Sequence, residues 1–364
     1  GDGRAALGPM LREYIISVAL HALGVQTTRS LAVVTTGEPV YRETALQGAI
    51  LTRTASSHLR VGTFEYAADR GKPDDLRTLA DYTIQRHFPH LAADANPYLA
   101  LLAEVSDLQA SLVARWMQIG FIHGVMNTDN TALCGETIDY GPCAFMDAYD
   151  PNTVFSSIDH HGRYAYGRQP QIVQWNLARF AEALLPIIDE EPEAAAAMAK
   201  EKLSRFPEAF RDCWLAGMRA KLGLMTTEAD DGALAADLLD VINRHSADFT
   251  NTFRALASDP LPETAMFEAR DFKEWHERWR VRLSRQPDSW EAYRRLMYSA
   301  NPAVIPRNHR VEEALEAAVQ RADFTVMEKL MEVLSQPFED PPEAAGYHLP
   351  APPSAQPYQT YCGT

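Results

Sequence analysis

From Met10 to Leu23 the residues Leu11, Tyr14, Ile15, Val18 and Ala22 return at helical spacing, and Gly24 follows as a stop signal. The pattern predicts a helix. Residues 31–36 and 40–43 flank Gly37-Glu38-Pro39 and read as a hairpin, with a further strand at 49–55. Past residue 58 the chain turns almost wholly helical, and its longest stripe, over 97–120, carries Leu101, Leu102, Val105, Leu112, Val113 and Trp116 on one face. This helix is expected at the centre of the larger lobe. Behind it the periodicity breaks into short pieces: a loop at His123–Asn130, then strands at Thr131–Gly135 and Thr137–Gly141 separated by a turn. Residues 142–170 are rich in Pro, Asp, Ser and Gly, long for a plain connection, and read as a functional loop. Helices are predicted at 171–186, 190–221, 229–256, 265–284, 288–298 and 309–335, before a Pro-rich tail, 341–364, that reads as extended or disordered. The pattern is that of an α+β protein, mostly helical.

Composition narrows the function classes. With 46% hydrophobic residues over 364 positions, the chain can bury one large core or two modest ones. No apolar run approaches the roughly 20 residues of a membrane span. A formal net charge of −15, with no stripe of Lys and Arg among aromatics, argues against a nucleic-acid partner. Cys134, Cys143, Cys213 and Cys362 lie far apart without a CxxC pair, which favours free thiols in a reducing, cytoplasmic setting; a disulfide involving Cys362 stays open. The start, Gly1-Asp2-Gly3-Arg4, has no initiator Met and no signal-peptide pattern, so the chain reads as clipped.

The break after the long helix carries the candidate chemistry. Protein kinases place a base Asp and a metal-binding Asn in H-R-D-x-x-x-x-N and follow them with the D-F-G Asp that holds magnesium. Here His123-Gly124-Val125-Met126-Asn127-Thr128-Asp129-Asn130 keeps the His-to-Asn spacing, and Ile138-Asp139-Tyr140-Gly141 supplies the second part. Val125 occupies the slot of the usual base and cannot accept a proton, which puts ordinary phosphoryl transfer in doubt. Asp129, one place before the Asn, is the alternative proton acceptor. Asn130 and Asp139, on facing strands of the expected hairpin, would offer two oxygens to Mg²⁺ beside nucleotide phosphates. A turn at Asp129-Asn130 and a strand-end cap at Asp139 would explain the same residues without function.

Other residues bear on a nucleotide site. Glu13 lies in a helix with apolar neighbours on nearly every side, so it needs a partner. In kinases that partner is the ATP-binding Lys, which would precede Gly1; Arg12 or another local cation is the alternative. Arg53 and Arg60 frame Thr54–Leu59 near the junction of the lobes, and guanidinium forks suit phosphate oxygens, although surface arginines are common. His160-His161 read as loop residues, and no GxSxG, HExxH or GxGxxG pattern is present.

The chain also resembles the selenoprotein O (YdiU-type) protein adenylyltransferases, kinase-like proteins that transfer AMP. The resemblance rests on Gly1-Asp2-Gly3-Arg4-Ala5, Leu11-Arg12-Glu13, Leu51 to Arg60, His123 to Asn130, Ile138 to Pro142, Gly162-Arg163-Tyr164, Gln171 to Asn176, Asn301-Pro302 and Arg307-Asn308. It implies a two-lobe, protein-kinase-like fold with a truncated N-lobe and a C-terminal helical extension. The divisions would be 1–90 for the rest of the N-lobe, 91–225 for the C-lobe with the metal site, 226–340 for a helical region and 341–364 for the tail. It further implies a flipped ATP, with Asp129 as proton acceptor, Asn130 and Asp139 as ligands of Mg²⁺ or Mn²⁺, Arg53 and Arg60 on buried phosphates, Asp2 and Gly3 on the nucleotide, and Glu13 orienting the ATP-site Lys. Partners would be ATP and the Ser, Thr or Tyr hydroxyls of other proteins, with UMP transfer in some members. A γ-phosphate kinase and a non-catalytic nucleotide-binding scaffold are the alternatives. Family members carry a Gly-rich segment and the ATP-site Lys before the GDGRA stretch, so a chain without them is expected to bind nucleotide weakly. Some members also join a loop Cys to a tail Cys; Cys362 fits the tail position, while Phe155 stands at the loop position.

Overall fold

Leu7, Leu11, Ile15, Ile16, Ala19 and Leu20 are all buried, and they make one side of helix α1, Leu7–Ala22, the centre of the first core. This computed structural model describes residues 2–352 and 358–361. Strand β1, Ala5–Ala6, precedes α1, and β2, Arg29–Tyr41, and β3, Ala45–Thr54, follow it to form an antiparallel sheet of order β1-β3-β2.

The hairpin turn is not at Gly37-Glu38-Pro39. It lies at Arg42–Thr44, where Arg42 N–H donates to Thr44 O at 3.0 Å, and the Gly-Glu-Pro segment is instead an irregularity within β2, across which the partners change from Thr35↔Ala49 to Pro39↔Gln47. Gly48 makes room for it, since a Cβ there would meet Glu38 O at 2.6 Å. Pro39, which has no N–H to give a ladder, is tolerated at such a bulge.

Helices α2, Val61–Asp69, and α3, Pro73–His87, lead to α4, Pro97–Gln118, the predicted long helix, capped by Asn96 through Leu99 N–H. The predicted hairpin over 131–141 is absent among the described residues. Its two segments pair elsewhere: Val61 N–H donates to Thr131 O and Leu133 N–H to Leu59 O, while Thr28 N–H donates to Thr137 O and Thr137 N–H to Gln26 O. A two-residue ladder, β4, Phe121–Ile122, with β5, Ala144–Phe145, closes the break instead.

The predicted helical stretches occur, several of them divided. They are α5, Gln169–Ile188; α6, Pro192–Leu203; α7, Phe206–Lys221; α8, Asp231–Arg244; α9, Phe249–Ala255; α10, Ala265–Glu268; α11, Arg270–Ser284; α12, Trp290–Ala300; α13, Asn308–Arg321; and α14, Thr325–Leu334. The breaks have local causes. Ser246 and Ala322 adopt positive φ, and Asp248 restarts the chain as an N-cap by accepting Asn251 N–H at 2.7 Å. α1, α2, α4, α5 and α6 share the first core with α13 and α14, which return to pack on α1; α8 to α12 build a second core around the stacked rings of Trp275 and Trp279. No helix among the described residues is long and apolar enough to cross a membrane.

The tail is partly fixed. Thr360 pairs with the 142–170 loop, receiving Ser157 N–H and donating its N–H to Phe155 O, and its hydroxyl donates to Pro142 O at 2.6 Å. Cys362 lies outside the described residues; Cys134, Cys143 and Cys213 are free thiols.

Candidate functional site

The site forms where the pieces behind α4 meet α1. Gly124, at φ +86°, turns the chain where any Cβ would collide with Pro142 O, so a side chain at this position would push the loop off the 141–143 segment. His123 is fully buried between Trp116 and Phe121, and burial lowers its pKa, which keeps the ring neutral. Ile138 O lies 2.9 Å from His123 Nε2 and can only accept, so the proton is assigned to Nε2. One residue before Asp139 is thereby tied to the start of the loop.

The residue after Asp139 is tied to α1. Glu13 Oε1 accepts Tyr140 N–H at 2.8 Å, and Glu13 Oε2 lies 3.4 Å from Arg53 Nη1. Burial pushes the Glu13 carboxyl up to about 7, against the opposing pull of Arg53, while the nearby Asp139 charge raises it further. Tyr140 is itself anchored by its hydroxyl to Thr27, Thr28 and Thr137 O. Held on both sides, Asp139 sits at φ +70°, a conformation that costs a non-glycine residue on the order of 1–3 kcal/mol.

Asn130 Nδ2 donates to Asp139 Oδ2 at 2.6 Å and to Val125 O at 2.9 Å. Val125 thus supplies only a backbone carbonyl at the position where a kinase base would stand. The double donation fixes the amide orientation and leaves the Asn130 carbonyl oxygen and Asp139 Oδ1 without protein partners among the described residues. These are hard oxygens with no thiol or imidazole beside them, and no three His, Cys, Asp or Glu residues gather into a cage among the described residues. One carboxylate and one amide oxygen suit a Mg²⁺-type ion that takes its other ligands from water and phosphate.

Asp129 is exposed, and its carboxylate lies against Gly62 in the first turn of α2, where a methyl group would overlap it. The pairing of 59–61 with 131–133 sets this approach and brings Arg60 beside the loop. Arg60 Nε is buried without a partner, an unmet donor of the kind a ligand oxygen satisfies. Asp2 is occupied otherwise: it takes Arg42 at 3.0 Å and Arg4 N–H at 3.0 Å, which hold its carboxyl down to about 2, and Gly3 lies with it by the open end of the sheet. So Glu13, Arg53, Asn130 and Asp139 form one connected group, Asp129 and Arg60 flank it across the α2 start, and neither Asp2 nor Gly3 bonds to any of them.

Two supporting groups lay outside the sequence expectations. Asn176 is fully buried on the apolar side of α5 and donates to Met126 O at 3.1 Å and Thr131 Oγ1 at 2.8 Å, clamping both ends of the Asp129 loop. A polar residue among Val173, Leu177 and Phe180 was the available signal. Arg12 does not pair with its neighbour Glu13. It donates to Gly141 O at 3.1 Å and Cys143 O at 2.6 Å, and reaches Glu312 of α13 and Tyr358 of the tail. Nothing in local spacing pointed to those partners.

The sequence matches the family described as "Protein adenylyltransferase SelO" over residues 1–335. Curated relatives named "Protein nucleotidyltransferase YdiU" include those of Syntrophotalea carbinolica, 63% identical over all of this chain and 74% of the relative, and Alkaliphilus metalliredigens, 61% identical over the same shares. The relative from Halalkalibacterium halodurans is 62% identical, again over 100% of this chain and 74% of its own length. With its loop, acidic turn and supporting helix arranged as above and with matches of this extent, the chain belongs to the SelO family.

Proposed function

We propose that this chain is a protein nucleotidyltransferase that moves AMP from ATP to a hydroxyl of another protein, built on a kinase-like two-lobe plan divided at about residues 90, 225 and 340. The observation that carries the reading is the Asn130–Asp139 pair at 2.6 Å, with both peptide neighbours of Asp139 pinned by His123 and Glu13. Family membership supports ATP as the donor and protein as the acceptor.

Asn130 and Asp139 would hold Mg²⁺ or Mn²⁺ through the Asn130 amide oxygen and Asp139 Oδ1. A cation bound there supplies positive charge that neutralises the phosphates and the departing pyrophosphate. Arg60, with its unmet Nε, and Arg53 would engage phosphate oxygens by their planar forks. Asp129 would take the proton of the acceptor Ser, Thr or Tyr hydroxyl as its oxygen bonds to the α-phosphorus; the bond to pyrophosphate breaks and pyrophosphate leaves. Asp2 and Gly3 would reach the nucleotide only after Asp2 releases Arg42. Val125 disfavours γ-phosphoryl transfer, since its side chain cannot accept a proton and its carbonyl is taken by Asn130 Nδ2. The free thiols of Cys134, Cys143 and Cys213 support a reducing, cytoplasmic setting.

The test supplies ATP labelled at the α-phosphate in one reaction and at the γ-phosphate in another, with a mixed protein lysate. The proposal expects α-label on protein, lost in Asp129→Asn. Label from the γ-phosphate alone would replace it with a kinase, and label from neither would favour a nucleotide-binding scaffold.

A further inference from the structure

Gly162-Arg163-Tyr164 and Gln171 to Asn176 do not enter the metal site, yet they meet in space. The Arg163 guanidinium lies 4.8 Å from the centroid of the Trp175 indole, and that of Arg179, one helical turn along α5, lies 5.2 Å from the same ring. Trp175 is 42% exposed, so the two cations and the ring form a ladder open to solvent.

The ladder is built rather than incidental. Asp159 accepts the N–H groups of Arg163 and Tyr164 at 2.8 and 2.7 Å, and Arg168 donates to Gly162 O at 3.1 Å, which together fix the turn presenting Arg163. Arg179 Nε is buried without a partner, and the far edge of that guanidinium takes Glu182. Arg163 has no carboxylate within ion-pair distance among the described residues. A guanidinium stacked on an aromatic face keeps its N–H edge free for a carboxylate. The ladder also has a fixed relation to the proposed chemistry: Asn176, next to Trp175, clamps Met126 O and Thr131 Oγ1 on either side of Asp129.

We infer that the Arg163–Trp175–Arg179 ladder is the docking surface for the acceptor protein, and that it selects hydroxyls flanked by Asp or Glu. This rests on the transferase reading above and names its substrate class. On a chain of net charge −15 an acidic segment is repelled over most of the surface, so Arg163, without a carboxylate partner among the described residues and stacked on the helix that carries Asn176, is where such a segment gains most. An acceptor carboxylate engages the open N–H edge of Arg163, Arg179, already paired with Glu182, holds the other side of the ring, and the acceptor backbone lies against the indole.

Binding tests this apart from transfer. Two fluorescein-labelled peptides, one with its Ser flanked by Glu and one by Lys, are titrated with the chain by fluorescence anisotropy at low and high salt. The Glu peptide is expected to bind about tenfold tighter, with the preference shrinking in salt. Arg163→Glu should reverse that preference and Trp175→Ala weaken the Glu peptide, while Arg163→Lys, which keeps charge and loses the fork, should fall between them at unchanged thermal stability. Equal binding of the two peptides, or a preference that survives Arg163→Glu, overturns the inference. So does a 20-nucleotide RNA that displaces the peptide from the same residues with higher affinity. If the peptides bind as expected while lysate proteins receive no α-label, the transferase reading fails and the docking surface stands.

Discussion

Glu13 and Tyr140, 127 residues apart in sequence, are joined by a 2.8 Å hydrogen bond from the Tyr140 backbone N–H to the Glu13 carboxylate. Because Tyr140 follows Asp139, this bond transmits the position of α1 to the acidic turn. A shift of the helix by even one ångström would move the Asp139 carboxylate on which the proposed cation site depends.

The same burial makes Glu13 a source of pH dependence. Its carboxyl is raised from 4.5 to about 7, so between those values the folded chain binds more protons than the unfolded one and stability falls as pH rises. Full charging above pH 7 costs on the order of 3 kcal/mol relative to pH 4.5. Glu13→Gln should flatten this slope. Thermal unfolding of both proteins at a series of pH values between 4.5 and 8 checks it, and parallel slopes would contradict it.

Gly62 is expected to matter through Asp129. Alanine at the first turn of α2 suits the helix, yet its methyl overlaps the Asp129 carboxylate. Gly62→Ala should therefore keep thermal stability within about 1 kcal/mol and lower AMP transfer about tenfold or more. Unchanged transfer by the folded variant would show that Asp129 need not hold this position.

Removing the clamp should act on both stability and activity. Asn176→Ala deletes donors to Met126 O and Thr131 Oγ1 in a site closed to water, which should cost about 2–3 kcal/mol in urea unfolding. Transfer should fall further than stability alone explains, since the loop carrying Asp129 is freed.

Arg12 connects the site to the end of the chain. Arg12→Ala strips partners from Gly141 O, Cys143 O, Glu312 and Tyr358 and should destabilise by about 3–5 kcal/mol, whereas Tyr358→Phe, which loses one hydroxyl, should cost about 1 kcal/mol. Denaturant titration of the two variants compares them directly; equal effects would mean that the tail rather than the arginine holds the 141–143 turn.

These positions also show where sequence was legible. Helices such as α1 and α4 are amphipathic over many turns, so their periodicity survives averaging. The Asn130–Asp139 meeting was foreseen from motif spacing, although the hairpin expected to carry it is absent among the described residues. Its two segments pair with 59–61 and 26–28, and such long-range partners leave no local trace. Gly37-Glu38-Pro39 has the composition of a turn, and only the absent side chain of Gly48 on the opposite strand reveals that a bulge fits there. Glu13 could be recognised as needing a partner, but Arg53 and the Tyr140 N–H could not be chosen from spacing. Arg12 and Thr360 were invisible for the same reason: both bind distant backbone carbonyls, which every residue offers.

The central claim is that Asn130 and Asp139 hold one cation with the nucleotide, and Mn²⁺ electron paramagnetic resonance reads that cation directly. With ATP present, the free Mn²⁺ signal should fall as the full-length protein is added, and Asn130→Ala or Asp139→Ala should weaken that binding about tenfold or more. Mn²⁺–ATP binding of equal strength in the wild type and both variants would contradict the account.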